Sequence, residues 1–291
     1  MSAVCNACPR NCGADRKTAV GVCGAPSEFR LARAALHFWE EPCISGKGGS
    51  GAVFFSGCNL KCAFCQNYEI STQNKGKAVS DEQLIGIFES LIEQGAENIN
   101  LVNPTHYAPR LAALLSKWRC PVPVVYNTSG YESVETLRSL DGLVDIYLPD
   151  FKYIRADKAQ RYSKAADYPQ IAMAALAEMR RQCPQDIFEN GMMKRGMIIR
   201  HLILPANTNS SLEILDYLKS NFADTYISLM AQYFPCGELA DFPEINRKIT
   251  PREYEKVADY AEALGLEKVF LQNLSSSSKK FVPAFDFTGI M

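Results

Sequence analysis

The sequence predicts an α/β protein: a parallel sheet covered by helices in an open partial barrel of the (β/α)6 type, preceded by a small cysteine-rich segment. Three observations carry this. From residue 51 onward, apolar runs alternate with amphipathic stretches six or seven times. The apolar runs are near-continuous, as in strands buried on both faces. The first 50 residues differ: they hold five of the 11 cysteines and end in "SGKGGSG" (45–51), which reads as a flexible break. The expected division is therefore a cysteine-rich metal-binding segment, 1–50, and a main domain, 51–291. A closed eight-unit barrel takes ~250 residues, so a chain one or two units short is expected to stay open.

Each element has a local reason. "GAVFFSG" (51–57) is a short apolar strand ending in glycine. Residues 80–95 read as a helix with Leu84, Phe88, Leu91 and Ile92 on one face. Ser80 and Gln83 have capping-box spacing, and Gly95 can close the end. A strand over 98–103 precedes a helix over 108–118, and 121–127 with 131–140 repeats the unit. A strand over 144–150 precedes two helical stretches between about 155 and 183. Strands over 196–205 and 225–235 flank a helix over 210–222. The last helix opens on Thr250, Pro251 and Glu253, a capping box with proline at its first position, and 268–273 reads as a seventh strand. No G-x-G-x-x-G follows the first strand, which counts against a doubly wound dinucleotide fold.

Lys and Arg number 31 and Asp and Glu 32, a formal net charge of −1. No global basic field exists to attract nucleic acid or an anionic membrane. No apolar run approaches the ~18–20 residues of a membrane span, and the N-terminal residues lack the apolar stretch of a secretory signal. The expectation is a cytoplasmic protein without nucleic acid or membrane as a partner. An odd count of closely spaced cysteines in that compartment points to metal ligands over disulfides.

Cys58, Cys62 and Cys65 form C-x3-C-x2-C between the first strand and the first clear helix. Three thiolates this close can wrap one side of an iron–sulfur cube and leave the fourth iron open for a small molecule. The other reading is zinc with a distant fourth ligand, in a non-catalytic zinc-stabilised binding protein. The loop has Phe64 just before its last cysteine and follows the first strand of a βα series. With "CPRNCG" upstream and "LMAQYFP" downstream, it resembles the radical S-adenosylmethionine (SAM) superfamily, and within it proteins of the pyruvate formate-lyase activating type. The resemblance covers nearly the whole chain.

The resemblance implies a [4Fe–4S] cluster on Cys58, Cys62 and Cys65 that binds SAM through its amino and carboxylate groups. One electron then cleaves SAM to methionine and a 5′-deoxyadenosyl radical, which abstracts hydrogen from a substrate. The cofactor carries the hard chemistry, and the protein supplies orientation and exclusion of water. The resemblance further implies flavodoxin or ferredoxin as electron donor and a protein glycine as substrate, as in the activation of glycyl radical enzymes. Modification of a small molecule or a peptide is the alternative within the class.

Catalytic groups in βα barrels sit at the C-terminal strand ends. After the third strand come Asn127 and Ser129, short polar groups suited to a ribose or a carboxylate. After the fourth come Asp150 and Lys152, similar to the Asp-x-Lys of glycyl-radical activating enzymes, where it contacts SAM or the substrate peptide. Arg200 lies in an otherwise apolar run and needs an anionic partner, either the SAM carboxylate or a carboxylate of the barrel. Gln232 and Tyr233 close the sixth strand and are placed to face the adenine or the substrate. His201, Cys120 and Cys183 read as structural.

Cys5, Cys8, Cys12 and Cys23 give C-x2-C-x3-C-x10-C. Four thiolates on short loops can close a tetrahedral zinc site or hold a second iron–sulfur cluster, with Cys43 as a spare ligand.

Overall fold

In the computed structural model, which describes residues 4–290, the apolar runs become seven parallel strands of one ten-stranded sheet. In chain order the elements are β1 (Phe29–His37), α1 (Pro42–Ser45), β2 (Ser50–Phe55), α2 (Tyr68–Ser71), β3 (Lys77–Val79), α3 (Asp81–Glu93) and β4 (Ile99–Val102). Next come α4 (Ala108–Leu115), β5 (Val124–Thr128), α5 (Val134–Arg138), β6 (Ile146–Pro149), α6 (Ala156–Ser163) and α7 (Tyr168–Gln182). The chain continues with β7 (Ile187–Glu189), β8 (Met192–Leu202), α8 (Thr208–Asn221), β9 (Tyr226–Met230), α9 (Pro251–Ala263) and β10 (Val269–Leu271). The strand order is β10-β9-β8-β6-β5-β4-β2-β1-β3, with β7 paired to β8. Among the described residues no pairing joins β3 to β10, so the barrel is open, as expected.

The capping boxes form as their spacing predicts. Ser80 and Gln83 close the start of α3 in both directions, and Thr250 and Glu253 do the same for α9. Leu84, Ile87, Phe88 and Leu91 of α3 are buried against the sheet. The helix expected over 131–140 is shorter, with Ser133 capping α5.

Three antiparallel strands add to the expected set: β1 beside β2, β3 beside β1, and β7 beside β8. The first of these bears on the N-terminal segment. Leu36 stands opposite Gly51 and His37 opposite Ser50, so the sheet crosses the expected boundary at residue 50. The "SGKGGSG" turn is held in place, with the Gly49 amide on the Ser45 carbonyl at 2.8 Å and the Gly51 amide on the Asn98 carbonyl at 2.9 Å. Among the described residues before Phe29 there is no helix or strand. The outer ends of the two expected segments, residues 1–3 and 291, lie outside the described residues.

Beyond β10 the chain returns to β1. The Phe287 amide bonds the Ala32 carbonyl at 3.0 Å, the Ala34 amide bonds the Thr288 carbonyl at 2.9 Å, and Arg33 pairs with Asp286 at 2.8 Å. This tail borders the mouth of the barrel. Among the described residues, no helix is long and apolar enough to cross a membrane.

Candidate functional site

The parallel strands aim their C-terminal ends at one cavity of about 500 Å³, within the ~300–1,000 Å³ range of ligand pockets. Nine of the ten barrel residues nominated above line it: the cysteines at 58, 62 and 65, with Asn127, Ser129, Asp150, Lys152, Arg200 and Gln232.

The cysteine loop leaves β2 through Gly57, whose φ of +93° is in the left-handed region. A Cβ there would stand 2.9 Å from the Cys23 carbonyl oxygen and 3.2 Å from His106 Nε2. Glycine is needed for conformation and for room at once. Asn103, at the end of β4, donates its Nδ2 to the Gly57 carbonyl at 2.6 Å. The buried His106 donates Nε2–H to the Ser56 carbonyl at 2.8 Å. Burial, with Arg16 nearby, pulls this imidazole down to about 3, so it stays neutral and structural. Farther along, Phe64 is buried edge-on against Tyr233 at 5.9 Å and Tyr162 at 6.2 Å. The aromatic before the last cysteine is therefore the loop's anchor. Tyr233, expected to face a ligand, is buried beneath it and donates to the Ile245 carbonyl.

Each of the three sulfurs meets a donor. Leu60 N–H donates to Cys58 Sγ at 3.4 Å, Ser163 Oγ to Cys62 Sγ at 3.0 Å, and Ser71 Oγ to Cys65 Sγ at 3.2 Å. Burial pushes the Cys65 thiol up to about 12, and the neighbouring Cys62 and Cys58 add to it. Burial also raises Cys62, against the pull of Lys152 and Ser163. A metal bound here displaces these protons. Three sulfurs on one wall, each with a donor, and a cation beside Cys62 fit an anionic iron–sulfur group with thiolate ligands.

The opposite side of the cavity is charged. Arg200, in the apolar strand β8, donates from Nε to Glu41 Oε1 at 3.0 Å and pairs through the same guanidinium with Glu40. Its anionic partners are thus carboxylates of the segment after β1. Glu40 also accepts from Asn100 Nδ2 at 2.7 Å and Asn127 Nδ2 at 3.3 Å. Burial works against the Glu40 charge, but the Arg200 guanidinium beside it holds the carboxyl below its ordinary value. Glu40 lines the cavity and was not singled out in the sequence. The signal was an acid pair directly after an apolar strand, complementary to a lone arginine in another.

Lys152 pairs with Asp150. Burial opposes the ammonium, but Asp150 and Cys62 hold it protonated, well above the usual lysine range. The cavity lining thus holds two cations, Arg200 and Lys152, and two carboxylates, Glu40 and Asp150, with Glu41 paired to Arg200 outside the lining. The Gln232 carbonyl accepts from Gln66 Nε2 at 2.8 Å, and its side-chain oxygen accepts from Gln272 Nε2 at 3.0 Å. Ser129 Oγ is buried on the cavity wall without a hydrogen-bond partner. An orphaned hydroxyl at a cavity wall is a ligand contact in waiting.

Behind Thr128 lies the buried Glu132, which accepts from the hydroxyls of Thr105, Thr128 and Tyr126. Burial outweighs these donors and pushes the carboxyl up from 4.5 to about 7. The fold prefers its neutral form. Its stabilising contribution is full below about pH 4.5, falls as pH rises through about 7, and is flat above. The expected loss is ~3 kcal/mol at 1.36 kcal/mol per unit. Urea denaturation from pH 4.5 to 8 should show that slope in the native chain and its absence in Glu132→Gln.

The structure also gathers Cys5, Cys8, Cys12 and Cys23, with Cys8 and Cys23 buried. Cys43, the expected spare, is buried in α1 beside Glu41 and Arg200. Cys183 is buried and donates to the Asp145 carbonyl, as a structural cysteine would.

A family model described as a 4Fe-4S single cluster domain matches residues 44–164, which contain the three-cysteine loop. The uncharacterized protein MJ0674 of Methanocaldococcus jannaschii is 30% identical over 278 residues, covering 91% of this chain and 76% of that one. Three solved structures share the fold. Streptococcus suis SuiB has a TM-score of 0.52 at 13% identity, over 77% of this chain and 48% of its own. Methylornithine synthase (PylB) has a TM-score of 0.52 at 12% identity, over 80% and 68%. The FeFe-hydrogenase maturase HydG from Carboxydothermus hydrogenoformans has a TM-score of 0.53 at 13% identity, over 79% and 56%. The chain spans about half the length of SuiB and of HydG. At these identities the likeness is one of fold. The chain belongs to one family with the M. jannaschii protein, and its C-x3-C-x2-C loop at the end of β2 lies inside the cluster-domain match.

Proposed function

We propose that the chain holds a [4Fe–4S] cluster on Cys58, Cys62 and Cys65, binds SAM in the cavity they border, and abstracts hydrogen from a polypeptide substrate, with a backbone glycine as the first candidate. The observation that carries this is the gathering of three donor-supported thiols and six polar strand-end groups around one cavity. When bound, such a cluster supplies the electron that breaks a sulfonium C–S bond.

The residues of the chain bind and orient. The Glu40 and Asp150 carboxylates on the cavity wall offer partners to the cationic cosubstrate. Ser129 Oγ and the amide of Asn127 offer hydrogen bonds to its polar groups. Lys152 sits between Asp150 and Cys62 and offsets negative charge at the sulfurs. Phe64, Tyr162 and Tyr233 keep water from behind the cysteine loop. A polypeptide substrate is supported by the rim, where Phe38 and Trp39 are 51% and 61% exposed and Trp39 packs edge-on against Phe281 at 4.9 Å. Flavodoxin or ferredoxin serves as electron donor on this reading.

The test is spectroscopic. Adding SAM to the anaerobically reduced, reconstituted chain should change the EPR signal of its cluster, and an unchanged signal counts against SAM at the cluster. Ser129→Ala should weaken SAM about five- to tenfold, the worth of one hydrogen bond of ~1 kcal/mol, with iron content unchanged. Incubation with glycyl radical enzymes should give a glycyl doublet. Labelled 5′-deoxyadenosine formed only with a small molecule or a peptide would move the substrate to that class.

A further inference from the structure

The four N-terminal cysteines lie outside the site just described. Short turns fold their segment back on itself: Cys5 N–H bonds the Ala14 carbonyl at 3.0 Å, Gly13 N–H the Cys5 carbonyl at 3.2 Å, and Asn11 N–H the Cys8 carbonyl at 3.0 Å. Gly21 stands between the thiols. A Cβ there would lie 2.8 Å from Cys12 Sγ and 3.8 Å from Cys23 Sγ. Gly21 is not among the glycines with positive φ, so its missing side chain serves space and not conformation. The Cys5 thiol hydrogen-bonds Cys12.

The backbone two residues on faces the sulfur at three positions: Arg10 at Cys8, Ala14 at Cys12 and Ala25 at Cys23. Leu60 makes the same turn at Cys58. Cys120 makes it alone, with Val122, so the turn by itself marks no site. Four thiols in one chain of contacts do: Cys12 and Cys23 flank Gly21, Cys5 bonds Cys12, and Cys8 faces Cys23.

The segment is also tied to the cysteine loop of the barrel. Cys58 N–H bonds the Cys23 carbonyl at 3.1 Å. The Arg10 guanidinium donates to the Asn59 carbonyl at 2.8 Å, the Lys164 carbonyl at 2.9 Å and the Ser163 carbonyl at 3.3 Å. Ser163 is the residue whose hydroxyl supports Cys62. Arg16 bridges the carbonyls of Ala25, Pro26 and His106.

We infer that Cys5, Cys8, Cys12 and Cys23 hold a second metal centre of four thiolates, and that this centre fastens the loop carrying Cys58 and Cys62. Its ligand chemistry suits a thiophilic metal, zinc as a single tetrahedral ion or iron in a sulfide cluster. Four protein ligands leave no open position, so this centre takes no substrate. Among the described residues, no three metal-ligating side chains stand at the spacing of one bound ion, so loading draws the sulfurs inward. The fastening, though not the centre itself, rests on the reading of the barrel cysteines as cluster ligands.

Metal counting tests the centre independently of any SAM chemistry. The Cys58/Cys62/Cys65→Ala chain, grown with iron and zinc and reconstituted anaerobically, should retain about one zinc, or iron with acid-labile sulfide, per chain. Adding Cys8→Ser and Cys12→Ser should remove it. Zinc or iron identifies the metal; a triple variant holding less than a tenth of an equivalent of either overturns the inference. Gly21→Ala removes no ligand. It should lose this metal to a chelator at least tenfold faster than the native chain, because its Cβ meets a sulfur that metal holds fixed. Its metal-free form should melt with the metal-free native chain, where the thiol is free to move. Equal retention in Gly21→Ala overturns the placement of Cys12 and Cys23 in one centre. For the fastening, Cys8→Ser with Cys12→Ser in the otherwise native chain should lower iron at the barrel cysteines several-fold. Unchanged iron there overturns it.

Discussion

Replacing Cys58, Cys62 and Cys65 together by alanine abolishes 5′-deoxyadenosine formation, to less than a thousandth of the native rate, while the chain still folds. The reason is a division of labour: the reductive cleavage needs a redox group, and the protein side chains around the cavity supply binding and orientation. Folding survives because the loop is anchored elsewhere. Phe64 stays packed on Tyr162 and Tyr233, and the Ala63 amide keeps its 2.8 Å bond to the Tyr162 carbonyl. The proper reference is the metal-free native chain, whose melting temperature the variant should match within a few degrees. Product from the variant at a tenth of the native rate would mean that these cysteines do not hold the active group.

Arg200→Met costs ~3–5 kcal/mol of stability near neutral pH, the penalty for leaving buried charge unpaired. Glu41 is buried and Glu40 nearly so, both against this guanidinium, and among the described residues no lysine or second arginine is paired with either. In the native chain Arg200 holds the Glu40 carboxyl below its ordinary value, so that share of stability is present above about pH 4.5 and is lost as pH falls further. Without Arg200 burial raises the Glu40 carboxyl instead, and the deficit should shrink between pH 7 and 5 as it takes up a proton. Urea denaturation of both chains across that range reads it directly. Adding Glu40→Gln and Glu41→Gln to the variant should recover part of the loss. A variant of native stability that binds SAM far more weakly would make Arg200 a ligand of the SAM carboxylate and not the mate of the acid pair.

The barrel was legible because its strands are buried on both faces. Runs such as "INLV" (99–102) and "MIIRHL" (197–202) have no polar alternation to confuse them with helices. The strand ends followed from the βα rule, and that rule brought nine of the ten nominated barrel residues to one cavity, Tyr233 being buried behind it. β1 was hidden because Arg30 and Arg33 interrupt "FRLARAALH", as an edge-side strand with a half-exposed face permits. β3 and β7 are three residues each, too short for a period. Glu40 was missed because its partner lies 160 residues away, and charge complementarity at that separation leaves no local mark. Arg10 was equally silent: its guanidinium is read by backbone carbonyls at 59, 163 and 164, which any residue supplies.

The measurement that bears most directly on the account is anaerobic SAM cleavage. The chain is reconstituted with iron and sulfide, reduced with dithionite and given SAM, and 5′-deoxyadenosine is quantified beside the Cys58/Cys62/Cys65→Ala variant. The account predicts four irons at the barrel cysteines and 5′-deoxyadenosine from the native chain alone, rising when the polypeptide substrate is added. Zinc in place of iron at those cysteines, with no 5′-deoxyadenosine under any of these conditions, would contradict it and leave a metal-stabilised binding protein.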